Sequence, residues 1–216
     1  MNIPAKQREF EELKSKVERL EAELQDARAA EPWQPTGFYA VYYATAGALL
    51  GVFGAAGALL VNVAGCVATG RHPLEWIRVH LTFPLGAEAL RLTDAERNVA
   101  VIDDRMILVF GCCLYLATGM LLGIPFHLVI SRYAREGSLR SRLAVASALA
   151  LATWGVAFYG VLSWLQPLLF GGNWLTNPAL LPWWVAAGTH VTYGWIMAIL
   201  HPLGQFEAQP RATEKT

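Results

Sequence analysis

The pattern of apolar and polar positions divides the chain into a charged amino-terminal segment and four long apolar runs. Within residues 1–31, Phe10, Leu13, Val17, Leu20, Leu24 and Ala27 recur three and four apart between charged neighbours. That is the seam of a heptad repeat. With Phe10, Val17 and Leu24 at a, and Leu13 and Leu20 at d, a parallel homodimer would face Glu9 with Lys14, Lys16 with Glu21 and Glu23 with Arg28. All three pairs are opposite in sign, which is how e and g positions choose a partner. The spacing predicts a cytoplasmic, coiled-coil-like helix. Its oligomerisation residues are Phe10, Leu13, Val17, Leu20 and Leu24, and its partner is a second copy or another membrane subunit. The plainer alternative is a solvated amphipathic helix held by pairs such as Glu12 with Lys16. Pro32 and Pro35, in a linker over residues 32–37, stop the helix because each removes a backbone donor and biases the residue before it away from α.

Four stretches, about 38–67, 106–130, 143–170 and 179–203, contain no Asp, Glu, Lys or Arg. Each exceeds the ~20 residues needed to cross ~30 Å of hydrocarbon. The fold class predicted is an all-α membrane protein: a four-transmembrane-helix bundle, with the amino-terminal helix before it, a structured outer loop over 68–105 and a tail over 204–216. The first run follows a charged stretch rather than a short positive region leading to a small-residue cleavage site, so no removable signal peptide is expected.

Between helices in lipid, small residues do the packing, because lipid tails are as apolar as leucine. Gly47, Gly51, Gly54, Ala58, Asn62 and Gly65 share one face of the first span, with Gly119 and Gly123 on the second and Gly194 with Ala198 on the fourth. Asn62 is expected to bond to a neighbouring helix, Pro125 to kink the second span and Pro167 the third.

Composition agrees with a bilayer partner: 55% of the 216 residues are apolar, only 16% are charged, and mean hydropathy is +0.35. Seventeen basic and 17 acidic residues cancel, leaving no field to collect nucleic acid. Orientation follows from the cations near span ends. Arg132, Arg135, Arg140 and Arg142 face one acid in the link between spans two and three, which places that link inside. Six basic residues before the first span, four in this link and two in the tail put twelve on the cytoplasmic side of a bacterial inner membrane, against five outside. Both termini are then cytoplasmic. The uncharged link GGNWLTN, flanked by Trp164, Trp174, Trp183 and Trp184, reads as the outer aromatic belt.

In the outer loop, HPLEWIRVHLTF collects Trp76, Val79, His80 and Phe83 on one side and predicts a short helix lying in the interface. Beyond Pro84 the choice is between a helix capped at Thr93 and a hairpin of Ala89–Thr93 with Val99–Ile102; the β-branched residues favour the hairpin.

Histidine carries the candidate chemistry. His127 lies ~32 Å along from Met106, and His190 and His201 ~12 and ~29 Å from Pro182, so His127 and His201 reach similar inner depth on different helices. Facing imidazoles suit a bis-histidine haem b, and His190 suits contact with a neighbouring helix or a quinone. The cofactor-binding candidates are therefore His127, His190 and His201. Cys112 and Cys113 lie in an apolar run without the electropositive surroundings that make a thiolate, and read as small hydrophobes. No GxSxG, HExxH, P-loop or CxxC motif occurs, and neither a catalytic nor a metal site is expected.

Spans without charges disfavour ion-coupled transport. The function this leaves is a non-catalytic accessory or assembly subunit of a larger membrane complex, with a respiratory or other electron-transfer assembly as host. The alternatives are a haem b or quinone-contacting electron carrier and a small homo-oligomeric pore or carrier. Reporter fusions test the orientation: a fusion in the arginine-rich link after Ile130 should report the same side as one at the amino terminus, and opposite sides would overturn it.

Overall fold

The computed structural model describes residues 3–30, 39–91 and 104–206, which are all-helical and contain no strand. It divides into two compact units, Met1–Tyr39 with Phe206–Thr216, and Ala40–Gln205. The first unit holds α1, Ile3–Ala30, one uninterrupted helix of 28 residues. Every residue of it from 6 to 26 is exposed, the heptad seam included.

The second unit runs α2 (Ala40–Ala68), α3 (Glu75–Leu85), α4 (Glu88–Arg91), α5 (Asp104–Tyr133) and α6 (Leu139–Gly155). A π-helical segment, Val156–Leu162, leads without a break into α7 (Ser163–Phe170); α8 (Trp183–Leu200) then ends in a 3-10 turn, His201–Gly204. Ser138 starts α6 by accepting the Ser141 N–H on its hydroxyl at 3.3 Å, the ordinary way to satisfy a free helix-end donor.

Among the described residues, three helices are long and apolar enough to cross a membrane: Ala40–Ala68, Val109–Tyr133 and Leu139–Phe170. Their outward faces show why lipid is the fitting solvent. Leu49, Phe53, Leu60, Leu121 and Leu168 are each more than 60% exposed, an apolar surface that water would not tolerate. The fourth apolar stretch is less helical than its hydropathy suggested. Residues 178–180 form a turn, Pro182 caps the start of α8 at Trp183, and Pro202, which has no N–H to donate, falls in the 3-10 turn that ends it. Helix α5 continues through Pro125.

Backbone packing centres on α2 and α5. A Cβ added to Gly47 would lie 2.5 Å from the Gly123 carbonyl oxygen, and one on Gly51 would run into the Gly119 carbonyl. The relation is mutual, for a Cβ on Gly123 would strike Gly47 O, and one on Gly119 would strike Ala55. Gly54 makes room for the Tyr193 ring of α8, and Gly194 for the Ala146 carbonyl of α6. Hydrogen bonds reinforce these contacts. Tyr193 Oη donates to Gly119 O at 2.7 Å, Asn62 Nδ2 donates to Tyr115 Oη at 3.2 Å, and Trp195 Nε1 donates to Ser147 Oγ at 2.9 Å.

The outer loop departs from expectation twice. Helix α3 is not buried on one apolar stripe alone: Trp76, Ile77, Arg78, Val79, Leu81 and Thr82 are all buried, because it is packed against α2, α5 and α7. Residues 88–91 form the short helix α4, so the described part of the expected first arm, residues 89–91, is not a strand; Ala89 is fully buried in a cluster with Ile77 and Leu81, which fixes that turn. The second arm, Val99–Ile102, and the capping box at Thr93 lie outside the described residues.

The α2–α5 contact predicts a position-specific cost. Gly51→Leu or Gly123→Leu should destabilise the bundle by at least the roughly 1–3 kcal/mol of an overpacked core, because the opposing atoms are backbone. Gly188→Leu, where an added Cβ meets nothing within 4 Å, should be near neutral in the same thermal-unfolding measurement in detergent.

Candidate functional site: buried histidines and an apolar cavity

The structure brings His127 and His201 together and sends His190 elsewhere. His127 and His201 are both fully buried, with ring centroids 4.9 Å apart. His127 Nε2 donates to Gly204 O at 3.1 Å, and the Tyr43 ring of α2 lies 5.8 Å away. His201 Nδ1 accepts from Gln205 Nε2 at 3.3 Å, which leaves Nε2–H to donate to Ser131 Oγ at 3.1 Å. Gln205 also donates to Arg135 O at 3.3 Å. This knot ties the 3-10 turn to the carboxyl-terminal end of α5. An iron between the two rings would need a bare nitrogen from each directed at one centre, whereas both nitrogens of His201 are engaged and only Nδ1 of His127 lacks a partner.

His190 instead lines a cavity of about 400 Å³ among α3, α5, the π segment and α8. The histidine that joins it there is His80 of α3. Both rings are fixed in the same way, by Nδ1 at 2.7 Å from the carbonyl four residues earlier, Trp76 O for His80 and Ala186 O for His190. A carbonyl can only accept, so in each neutral ring Nδ1 carries the proton and Nε2 is a bare acceptor. Burial pushes the His80 imidazole below its ordinary pKa, against the smaller raising effect of its bond to Trp76 O. Aromatic edges hold the planes, with Tyr115 at 5.5 Å from His80 and Phe158 at 5.7 Å from His190.

The remaining wall is apolar apart from hydroxyls, and several of those are spent. Thr118 donates to Leu114 O, Thr189 to Val185 O and Tyr193 to Gly119 O, at 2.7–2.9 Å. Tyr115 differs: its oxygen accepts from Asn62, so its own proton is not used by that bond. Phe158 belongs to the π segment, and such widened turns recur at functional sites because they shift side chains out of helical register.

No family model, curated protein or solved structure matches this chain. The reading of the site therefore rests on its geometry.

A second polar cluster ties α7 and the loop after it to α3. Gln166 of α7 is fully buried, its Oε1 accepting from the backbone N–H of Trp174 at 2.9 Å and of Leu175 at 3.0 Å. Its Nε2 donates to Thr82 Oγ1 of α3 at 2.9 Å. One side chain thus joins α3, α7 and the loop after α7, whose Leu175 reaches the cavity. Neither Gln166 nor His80 stood out in the sequence. A lone Gln in an apolar run, and a Trp76–His80 pair four apart, were the available signals.

Replacing Gln166 by Leu should leave the backbone N–H groups of Trp174 and Leu175 without their acceptor, while the Thr82 hydroxyl keeps its bond to Val79 O, at about 1–3 kcal/mol for each buried group left unsatisfied. Faster protease cleavage within residues 171–182 and a lower unfolding temperature are the expected readouts; unchanged cleavage would count against the strap.

Proposed function

We propose that this protein is a non-catalytic assembly subunit of a larger membrane complex, anchored by four transmembrane helices and joined to a second copy through a parallel two-stranded coil of α1. The observation that carries this reading is the state of the heptad seam. Phe10, Leu13, Val17, Leu20 and Leu24 are 48–66% exposed on a helix of 28 residues. An isolated helix with such a seam gains little from its own propensity, and burying each large apolar side chain against a partner contributes roughly 1.5–3 kcal/mol. The charge pattern selects the partner: Glu9 with Lys14, Lys16 with Glu21 and Glu23 with Arg28 attract only when two copies run parallel and in register. Copies anchored in one bilayer already have that orientation and a raised effective concentration.

Helix α8 is the fourth crossing in this reading. Its 18 residues rise about 27 Å, it carries no charged residue, and it packs against α2 and α6, both apolar enough to span. The arginine balance puts both termini on the cytoplasmic side of a bacterial inner membrane. A respiratory-type electron-transfer assembly is the host class we favour, since facing helices of a bundle are where cofactor chemistry is housed.

Cysteine cross-linking on the purified full chain in mild detergent tests the coil. Leu20→Cys, at a d position, should form a disulfide-linked dimer on mild oxidation, whereas Glu18→Cys, at b, should not. Leu13→Asp with Leu20→Asp should halve the mass of the particle and leave the bundle's unfolding temperature in place. A monomer in the parent chain, or equal cross-linking at both positions, would refute self-association. Stoichiometric co-purification of other membrane subunits supports the wider assembly role, and a particle holding this chain alone opposes it.

A further inference from the structure

We infer that the cavity among α3, α5, the π segment and α8 binds a hydroquinone head group with an apolar tail, whose phenolic hydroxyls donate to Nε2 of His80 and His190. The site is independent of whatever α1 pairs with. Its dimensions and chemistry are those of a small-molecule pocket: about 400 Å³, an apolar wall, and a few polar atoms converging on one space.

The polarity of those atoms selects the ligand. Because Nδ1 of both histidines is committed to a backbone carbonyl, each ring presents a lone pair and no proton to the cavity. The hydroxyl protons of Thr118, Thr189 and Tyr193 are likewise turned to backbone carbonyls. The two imidazoles therefore ask for a donor, and the Thr153 hydroxyl of the wall can donate or accept and favours neither. A quinol brings two O–H groups on a flat ring that fits between Phe158 and Tyr115. The oxidised quinone brings two carbonyls, which would face bare imidazole nitrogens acceptor to acceptor. Tyr115 supplies the complementary donor, since its oxygen already accepts from Asn62 and its proton is left for an oxygen substituent on the ring.

Haem fits less well. Bare Nε2 atoms could ligate iron, but no Arg or Lys lines the cavity, so the two propionates would be buried as unpaired charges. The π segment suits a flat ring, because the widened helix sets Ala157 and Phe158 as one face of the slot.

The test uses the purified full chain in phosphatidylcholine nanodiscs, with empty discs as the partition control. Decylubiquinol and decylubiquinone are titrated separately and anaerobically by calorimetry. The expected result is saturable binding of one quinol per chain, roughly tenfold or more tighter than the quinone, as loss of one buried hydrogen bond implies. His80→Phe and His190→Phe each remove an acceptor at similar bulk and should erase that preference. Equal or reversed preference in the parent chain overturns the proposal without reference to any variant. So does uptake no greater than into empty discs, a preference that survives both substitutions, or a stoichiometric Soret band retained through gel filtration after adding haemin.

Discussion

Backbone meeting backbone at Gly47 and Gly51 of α2 and Gly119 and Gly123 of α5 is the contact on which the bundle depends. In water, helices of this composition would be driven together by their side chains. In lipid that drive is absent, and what remains is dispersion at short range together with hydrogen bonds to otherwise unpaired groups. Removing the side chains at four positions lets two carbonyl-lined surfaces approach within contact distance. The large residues are then free to face outward, as Leu49, Phe53 and Leu121 do.

Tight adhesion at this seam determines where space is left. Helix α8 closes on α2 through Gly54 and on α6 through Gly194, and its Tyr193 hydroxyl reaches back to Gly119 on the seam itself. Beside that seam, where Ala55 and Gly119 themselves form part of the wall, the buried α3 and the π segment complete the cavity. Three of the polar clusters among the described residues have different fates. The His127–His201 knot and the Gln166 strap are internally satisfied through most of their atoms and act as fasteners. The His80–His190 pair is half satisfied, with one nitrogen of each ring bonded to its own helix and the other facing open space. A group bonded on one side only is the arrangement that binds something else.

The chain itself determined the parts whose signal is periodic and local. Charge-free runs gave the long helices, small residues three and four apart gave the faces of α2 and α5, and the heptad gave one continuous α1, because each pattern repeats with the period of the helix that displays it. Tertiary structure decided the rest. His127, His190 and His201 formed one candidate set in the sequence, yet His127 is locked against His201 while His190 opens on a cavity, because rotation about a helix axis depends on what the neighbours allow. His80 came from a short loop helix expected in the membrane interface, and Gln166 from a run read only as a membrane span. Both acquire their roles from residues distant in the chain, Tyr115 beside one and Thr82 and Leu175 around the other. No local spacing encodes such meetings; they arise when four glycines fix how closely α2 and α5 approach, and the remaining helices pack around that distance.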